Sequence, residues 1–213
     1  MLKTKLIPIV AAALFVAALV VPAPASAQTA NSDPTSDSSI LRDPDIPVLG
    51  NAKGDITVVE WFDYRCPYCK KVNPDLLKVV KDDGQVRLVF KEWPMFGGVS
   101  VYAAKLALAA KYQNKYAEAH EALISATQKL TEENVQSMLT QAGIDLARAQ
   151  GDLVTHQKAI EALLARNEEQ ALALNFQGTP GFIIGRFRVP GALDAKTLKL
   201  AITDARAEAK KKK

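Results

Sequence analysis

Cysteine is scarce in this 213-residue chain: there are two, Cys66 and Cys69, and only two histidines, His120 and His156. A structural zinc site takes four ligands, usually two CxxC-like pairs or one such pair with two histidines. No second cysteine pair exists, and the histidines fall in separate predicted helices, so zinc is disfavoured. A disulfide framework is excluded as well, because one bridge between residues three apart closes a tiny loop and stabilises little. Charge of one sign is also lacking. The formal charge of +4 includes Lys3 and Lys5 near the start and the lysine run 210–213 at the end. The body between them is near neutral, with no footprint for nucleic acid. Proline is absent from Val99 to Phe176, which leaves that stretch free to be helical.

One long apolar run is present, "LIPIVAAALFVAALVV", after Lys3 and Lys5 and before "ASA" at Ala25–Ala27. Basic start, apolar middle and small-residue end are the three parts of an export signal, expected to be cleaved after residue 27. Pro8 and Pro22 bracket a run shorter than the ~20 residues of a membrane span. No cysteine follows it to carry a lipid. The mature protein is expected in an exported compartment, where thiols can be oxidised.

Residues 28–47, "QTANSDPTSDSSILRDPDIP", are rich in Ser, Asp, Thr and Pro and show no sustained apolar period. They read as a flexible segment with no coiled-coil pattern, which favours a monomer. An ordered domain is expected over 48–207, followed by a solvated basic tail at 208–213. "ITVVEWF" (Ile56–Phe62) reads as a buried strand. "KKVNPDLLKVVKDDG" reads as a helix bent by Pro74 and closed by Gly84, and "QVRLVFKEWP" as a second strand. Strand, helix, strand implies a parallel βαβ unit. From about 99 to 176 the apolar spacing gives four or five helices, with Ser100 and Thr131 as caps. Phe182–Ile184 and Arg186–Val189 then form an antiparallel hairpin around Gly185, and a terminal helix starts at Asp194. The fold class is α/β, with a helical insertion.

The cysteines stand in "WFDYRCPYCK", directly after the first strand. A cysteine at a helix start lies beside unpaired N–H groups and the positive dipole end, which favour the thiolate. A second thiol three residues on can resolve a mixed disulfide. Cys66, expected at the exposed helix start, is therefore the candidate nucleophile, and Cys69, one turn in, the resolver. Pro67 and Tyr68 between them tune the thiolate. Two thiolates could also hold Cu(I).

"VVEWFDYRCPYCKKVNPDL", the later "GTPGFIIG" and the helical insertion between them resemble the DsbA-like branch of the thioredoxin superfamily. CPYC and a threonine before the proline are most similar to ScsC-type suppressor-of-copper-sensitivity proteins. The resemblance implies a thioredoxin-like fold and a thiol–disulfide oxidoreductase acting on exported client proteins without a bound cofactor. It implies a redox-active Cys66–Cys69 disulfide and an inner-membrane redox partner of DsbB-like or ScsB/DsbD-like type. It assigns Thr179-Pro180 to a cis-proline loop that holds substrate backbone. It also assigns Glu60 to a buried acid exchanging protons with Cys69, with Lys91 as its neighbour. Oxidase, reductase or isomerase, and copper-stress protein using the same dithiol remain open from the residues alone.

Overall fold

The computed structural model describes residues 33–211. Two strands rich in β-branched and aromatic residues, β2 (Ile56–Phe62) and β3 (Val86–Glu92), are buried at every position. Such continuous burial belongs to parallel strands covered on both faces. They pair in parallel, with Glu60 beside Phe90 and Trp61 beside Lys91. β1 (Val48–Gly50) joins β3 antiparallel, and β4 (Gly181–Ile184) and β5 (Phe187–Pro190) add the other edge. The strand order is β1-β3-β2-β4-β5.

Helix α2 (Pro67–Asp83) returns the chain from β2 to β3, with Pro74 inside it. It stops at Gly84, whose φ of 70° suits a residue without a Cβ and whose N–H bonds back to Val80 O. α8 (Ala195–Lys211) packs on α2, β2 and β4. Its Arg206 forks onto Asp55 and Asp83, at 2.7 and 2.8 Å. The insertion consists of α3 (Gly98–Ala110), a 3₁₀ turn, α4 (Tyr116–Ile124), α5 (Glu132–Gln141), α6 (Leu146–Thr155) and α7 (Gln157–Ala173). Thr131 caps α5 in a reciprocal capping box with Asn134. The α/β architecture, the parallel βαβ unit and the terminal hairpin match the expectation, with the second hairpin strand displaced by one residue.

Four expectations need correction. First, the segment 28–47 is not flexible over its described part. Asp37–Leu41 forms a helical turn, α1, capped by Ser36. Ile40 and Ile46 are buried, and Asp43 pairs with Arg166 of α7 at 2.8 Å. A single turn buries too few residues to leave a period in the sequence. Second, Ser100 does not cap α3. The helix begins two residues earlier, and the Ser100 hydroxyl donates to the buried Asp63 carboxylate at 2.9 Å. Third, the tail from 208 is not separate, because α8 continues to Lys211 and its lysines end in the last turn, where cations oppose the helix dipole. Fourth, His156 lies at the junction of α6 and α7, stacked on Tyr112 at 3.7 Å, and not within a helix. The expected export signal lies outside the described residues.

Candidate active site

β2 ends at Phe62, and the next four residues turn the chain into α2. Asp63 organises the turn. One carboxylate oxygen accepts from Arg65 N at 2.7 Å and from Ser100 Oγ. The other accepts from Met95 N at 2.6 Å and Phe96 N at 3.1 Å. The Asp63 carbonyl takes Cys66 N–H at 3.0 Å. Sequence reading passed over Asp63, although an aspartate bonding the N–H two residues on is a recognisable turn signal.

Cys66 is the N-cap of α2, and the Cys69 N–H donates to its Sγ at 3.3 Å. A sulfur thus stands where a capping oxygen usually does. Pro67 occupies the first helical position, where its missing N–H costs nothing. Across the site, the Cys66 thiol donates to Thr179 O at 3.2 Å. Thr179 and Pro180 are joined by a cis peptide bond immediately before β4. β4 pairs with β2, and this pairing brings a loop 113 residues distant against the cysteine.

The expectation that Cys66 is exposed is incorrect. Its relative exposure is 1%, against 0% for Cys69 and 62% for Tyr68. The Thr179 loop closes on the sulfur, so the helix start is not open to solvent there. Both cysteines are free thiols.

The environments of the two thiols push them apart. Cys66 is lowered to about 6, chiefly by the hydrogen bond from the Cys69 thiol, against the opposing effect of burial. The Thr179 side chain and the N–H groups of Cys69 and Tyr68 add smaller contributions. The Thr179 hydroxyl is buried and unpartnered in the dithiol, so a thiolate at Cys66 gives it an acceptor. Cys69 is raised, first by burial, then by its bond to Cys66 and the nearby charge of Glu60. Separated acidities define a nucleophile and a protonated partner.

Glu60 lies on the α2 side of β2. It is buried, its Oε1 has no hydrogen-bond partner, and desolvation with the charge of Cys66 raises its pKa well above the ordinary value. Lys91 is not its neighbour. Side chains alternate along a strand, and Lys91 is in register with Trp61, so it faces the opposite side of the sheet. There its ammonium lies 5.6 Å from the Trp61 ring centre, without a hydrogen bond.

His120 is more deeply placed than an ordinary helix histidine. It is buried against Phe90 at 4.0 Å and bonded to Asn73 and Tyr64, and burial lowers it to about 3. Glu92 was not anticipated either. It ends β3 buried, accepts from Tyr116 Oη at 2.5 Å, and is raised to about 7 by burial. Among the described residues no group of three or more His, Cys, Asp or Glu side chains gathers as a metal site. No described helix is long and apolar enough to cross a membrane.

A family model described as "Thioredoxin" matches residues 43–204. A thioredoxin-like oxidoreductase of Silicibacter pomeroyi shares the fold with a TM-score of 0.77 and 39% identity, over 81% of this chain and 98% of that one. The thiol-disulfide exchange protein alpha-DsbA2 of Wolbachia pipientis gives 0.74 and 26%, over 79% and 91%. Proteus mirabilis ScsC in a compact conformation gives 0.72 and 25%, over 82% and 80%. Among curated proteins, a Na(+)/H(+) antiporter NhaA 1 of Salinispora arenicola is 29% identical over 74% of this chain. The match spans only 24% of that antiporter's length. A probable disulfide bond formation protein D of Bacillus anthracis is 29% identical over 72% of this chain and 75% of its own length.

Proposed function

Because the chain belongs to the thioredoxin family and resembles its DsbA- and ScsC-like members, we propose that it is a periplasmic thiol–disulfide oxidoreductase of exported proteins. The observation that carries this reading is the split between Cys66, lowered to about 6, and the raised, buried Cys69. Only a thiolate attacks or leaves readily in disulfide exchange.

In the oxidising direction, a client thiolate attacks Cys66 Sγ of the Cys66–Cys69 disulfide. The S–S bond breaks, a client–Cys66 mixed disulfide forms, and Cys69 departs, taking up a proton. A second client thiolate then attacks the client sulfur, and Cys66 leaves as the stabilised thiolate. Two electrons pass from client to enzyme, and a membrane redox partner of DsbB-like or ScsB/DsbD-like type removes them. In the reducing direction Cys69 resolves the mixed disulfide by attacking Cys66. Glu60, made a weaker acid by its burial, gives a proton to Cys69 as Cys69 departs and takes it back when Cys69 attacks. Thr179 and Pro180 hold the client backbone beside Cys66. The chain acts as a monomer.

The direction of flow follows from the reduction potential measured in glutathione buffers. A value near about −120 mV means a disulfide donor, and one near roughly −180 to −230 mV a reductase, isomerase or copper-stress role. A Cys66→Ala variant that exchanges disulfides with a peptide at the wild-type rate overturns the whole reading. The partly ionised dithiol also suits Cu(I), which prefers soft thiolates. A Cu(I) titration without uptake by the reduced protein removes that role.

A further inference from the structure

A groove of about 720 Å³ opens beside the cysteines, between the start of α2 and the 125–130 loop that joins α4 to α5. Pro67, the residue after Cys66, and Arg65, the residue before it, both line it. Pro74, Ile124, Ala126 and Leu130 supply apolar lining, and Arg65, Lys70, Lys71 and Lys129 supply four cations. No carboxylate lines it. Lys70 Nζ donates to Ala126 O at 2.5 Å and ties the helix to the loop. Arg65 donates to Phe96 O on the other side of the turn. Elsewhere among the described residues some cations pair with acids, as Lys78 does with Asp82 and Arg206 with Asp55, while others such as Lys53 and Lys158 do not, so what marks the groove is the gathering of four cations without a carboxylate. The four groove cations enter no ion pair among the described residues, although the whole chain carries 23 acidic residues.

From this arrangement we infer that the groove selects client segments carrying aspartate or glutamate close to the reacting cysteine. The inference rests on the oxidoreductase reading, because the groove is given its occupant by its position next to Cys66. A polypeptide joined to Cys66 through a disulfide must leave the site along the surface, and the residues on either side of Cys66 line the groove. A lining of apolar and cationic side chains suits an extended chain of small apolar and acidic side chains. Unpaired cations raise the encounter rate of an anionic partner and lower that of a cationic one. The gain falls with salt, as it does for exposed charges generally.

Three peptides of equal length, each with two cysteines flanked by Glu, by Ser or by Lys, test this. Oxidised protein is mixed with each reduced peptide. The peptide forms its disulfide, and Cys66–Cys69 takes up two electrons and two protons. The expected order at low salt is Glu, then Ser, then Lys, with about tenfold between the extremes. It should contract at roughly 0.5 M salt, where charges are screened within a few Å. A Lys71→Glu/Lys129→Glu variant, whose groove carries two cations and two anions, should level the order, and a Lys71→Arg/Lys129→Arg variant should keep it. Equal rates for all three peptides at low salt overturn the groove's selectivity and leave the oxidoreductase reading intact. Failure of the protein to oxidise any of them, the Ser peptide included, removes that reading and the groove's role together.

Discussion

Cys66 Sγ and Thr179 O are 3.2 Å apart, although 113 residues separate them in the chain. The loop that reaches the sulfur is also the one that shields it. Access to Cys66, and a smaller part of its acidity, therefore depend on one loop.

Alkylation of the reduced protein by iodoacetamide should titrate with a midpoint near pH 6, as the lowered Cys66 pKa requires. Thr179→Val removes the hydroxyl that favours the thiolate. The midpoint should rise by about one unit, since a hydrogen bond to a charged group contributes roughly 1.5 kcal/mol. An unmoved midpoint would show that the side chain plays no part.

In the reducing direction Glu60 should act in the second chemical step, not the first. Glu60→Gln keeps the shape but can neither give up a proton nor take one. In the reducing direction the mixed disulfide should form at the wild-type rate and then persist, visible on acid quench and mass analysis. Stability carries a second signature. The folded pKa of Glu60 is raised, so its contribution is fully present below the unfolded pKa and is lost as pH rises through the folded one. Urea titrations of the reduced proteins should show the variant losing less stability than wild type on the alkaline side.

Lys91 is a charge with no hydrogen-bond partner, buried on the far face of the sheet and lowered to about 8, chiefly by desolvation. Its folded pKa is depressed, so its contribution is present above the unfolded value of 10.5 and is lost as pH falls through 8. Lys91→Met should raise stability at pH 7 by about 1–4 kcal/mol, the range for replacing buried ion pairs with apolar residues. Chemical denaturation at pH 7 and pH 10 checks it, with the larger gain expected at pH 7.

Asp63 fastens three segments through four donors. Asp63→Ala leaves those donors without their acceptor and should cost about 3 kcal/mol or more. Asp63→Asn retains one acceptor oxygen and should recover part of the loss. Equal stability of the two variants would count against the carboxylate as the organiser.

Much of the framework was legible because its signals are local. β2 declares itself by a seven-residue run in which every residue but Glu60 is β-branched or aromatic, α5 by a capping threonine, and α2 by Pro67 at its start and Gly84 at its end. The cysteine pair follows from its place after β2. What stayed hidden depends on distant contacts. The cover over Cys66 comes from residue 179, the order of α1 from Arg166, and the role of Ser100 from Asp63. The placing of Lys91 failed for a different reason: two strands known to be adjacent do not reveal their register, and a shift of one residue exchanges faces. The burial of Glu60 reached the sequence reading through a resemblance, since nothing in "VVEWF" distinguishes an inward glutamate from an outward one.

The pairing of β2 with β4 also sets when the cysteine becomes reactive. A chain that appears N-terminus first presents Cys66 long before Thr179 exists beside it. Until Gly181–Ile184 docks against β2, the thiol lacks both its cover and part of what favours its ionisation. The unfinished protein thus carries a less acidic cysteine, and full reactivity arrives with the closing of its own sheet.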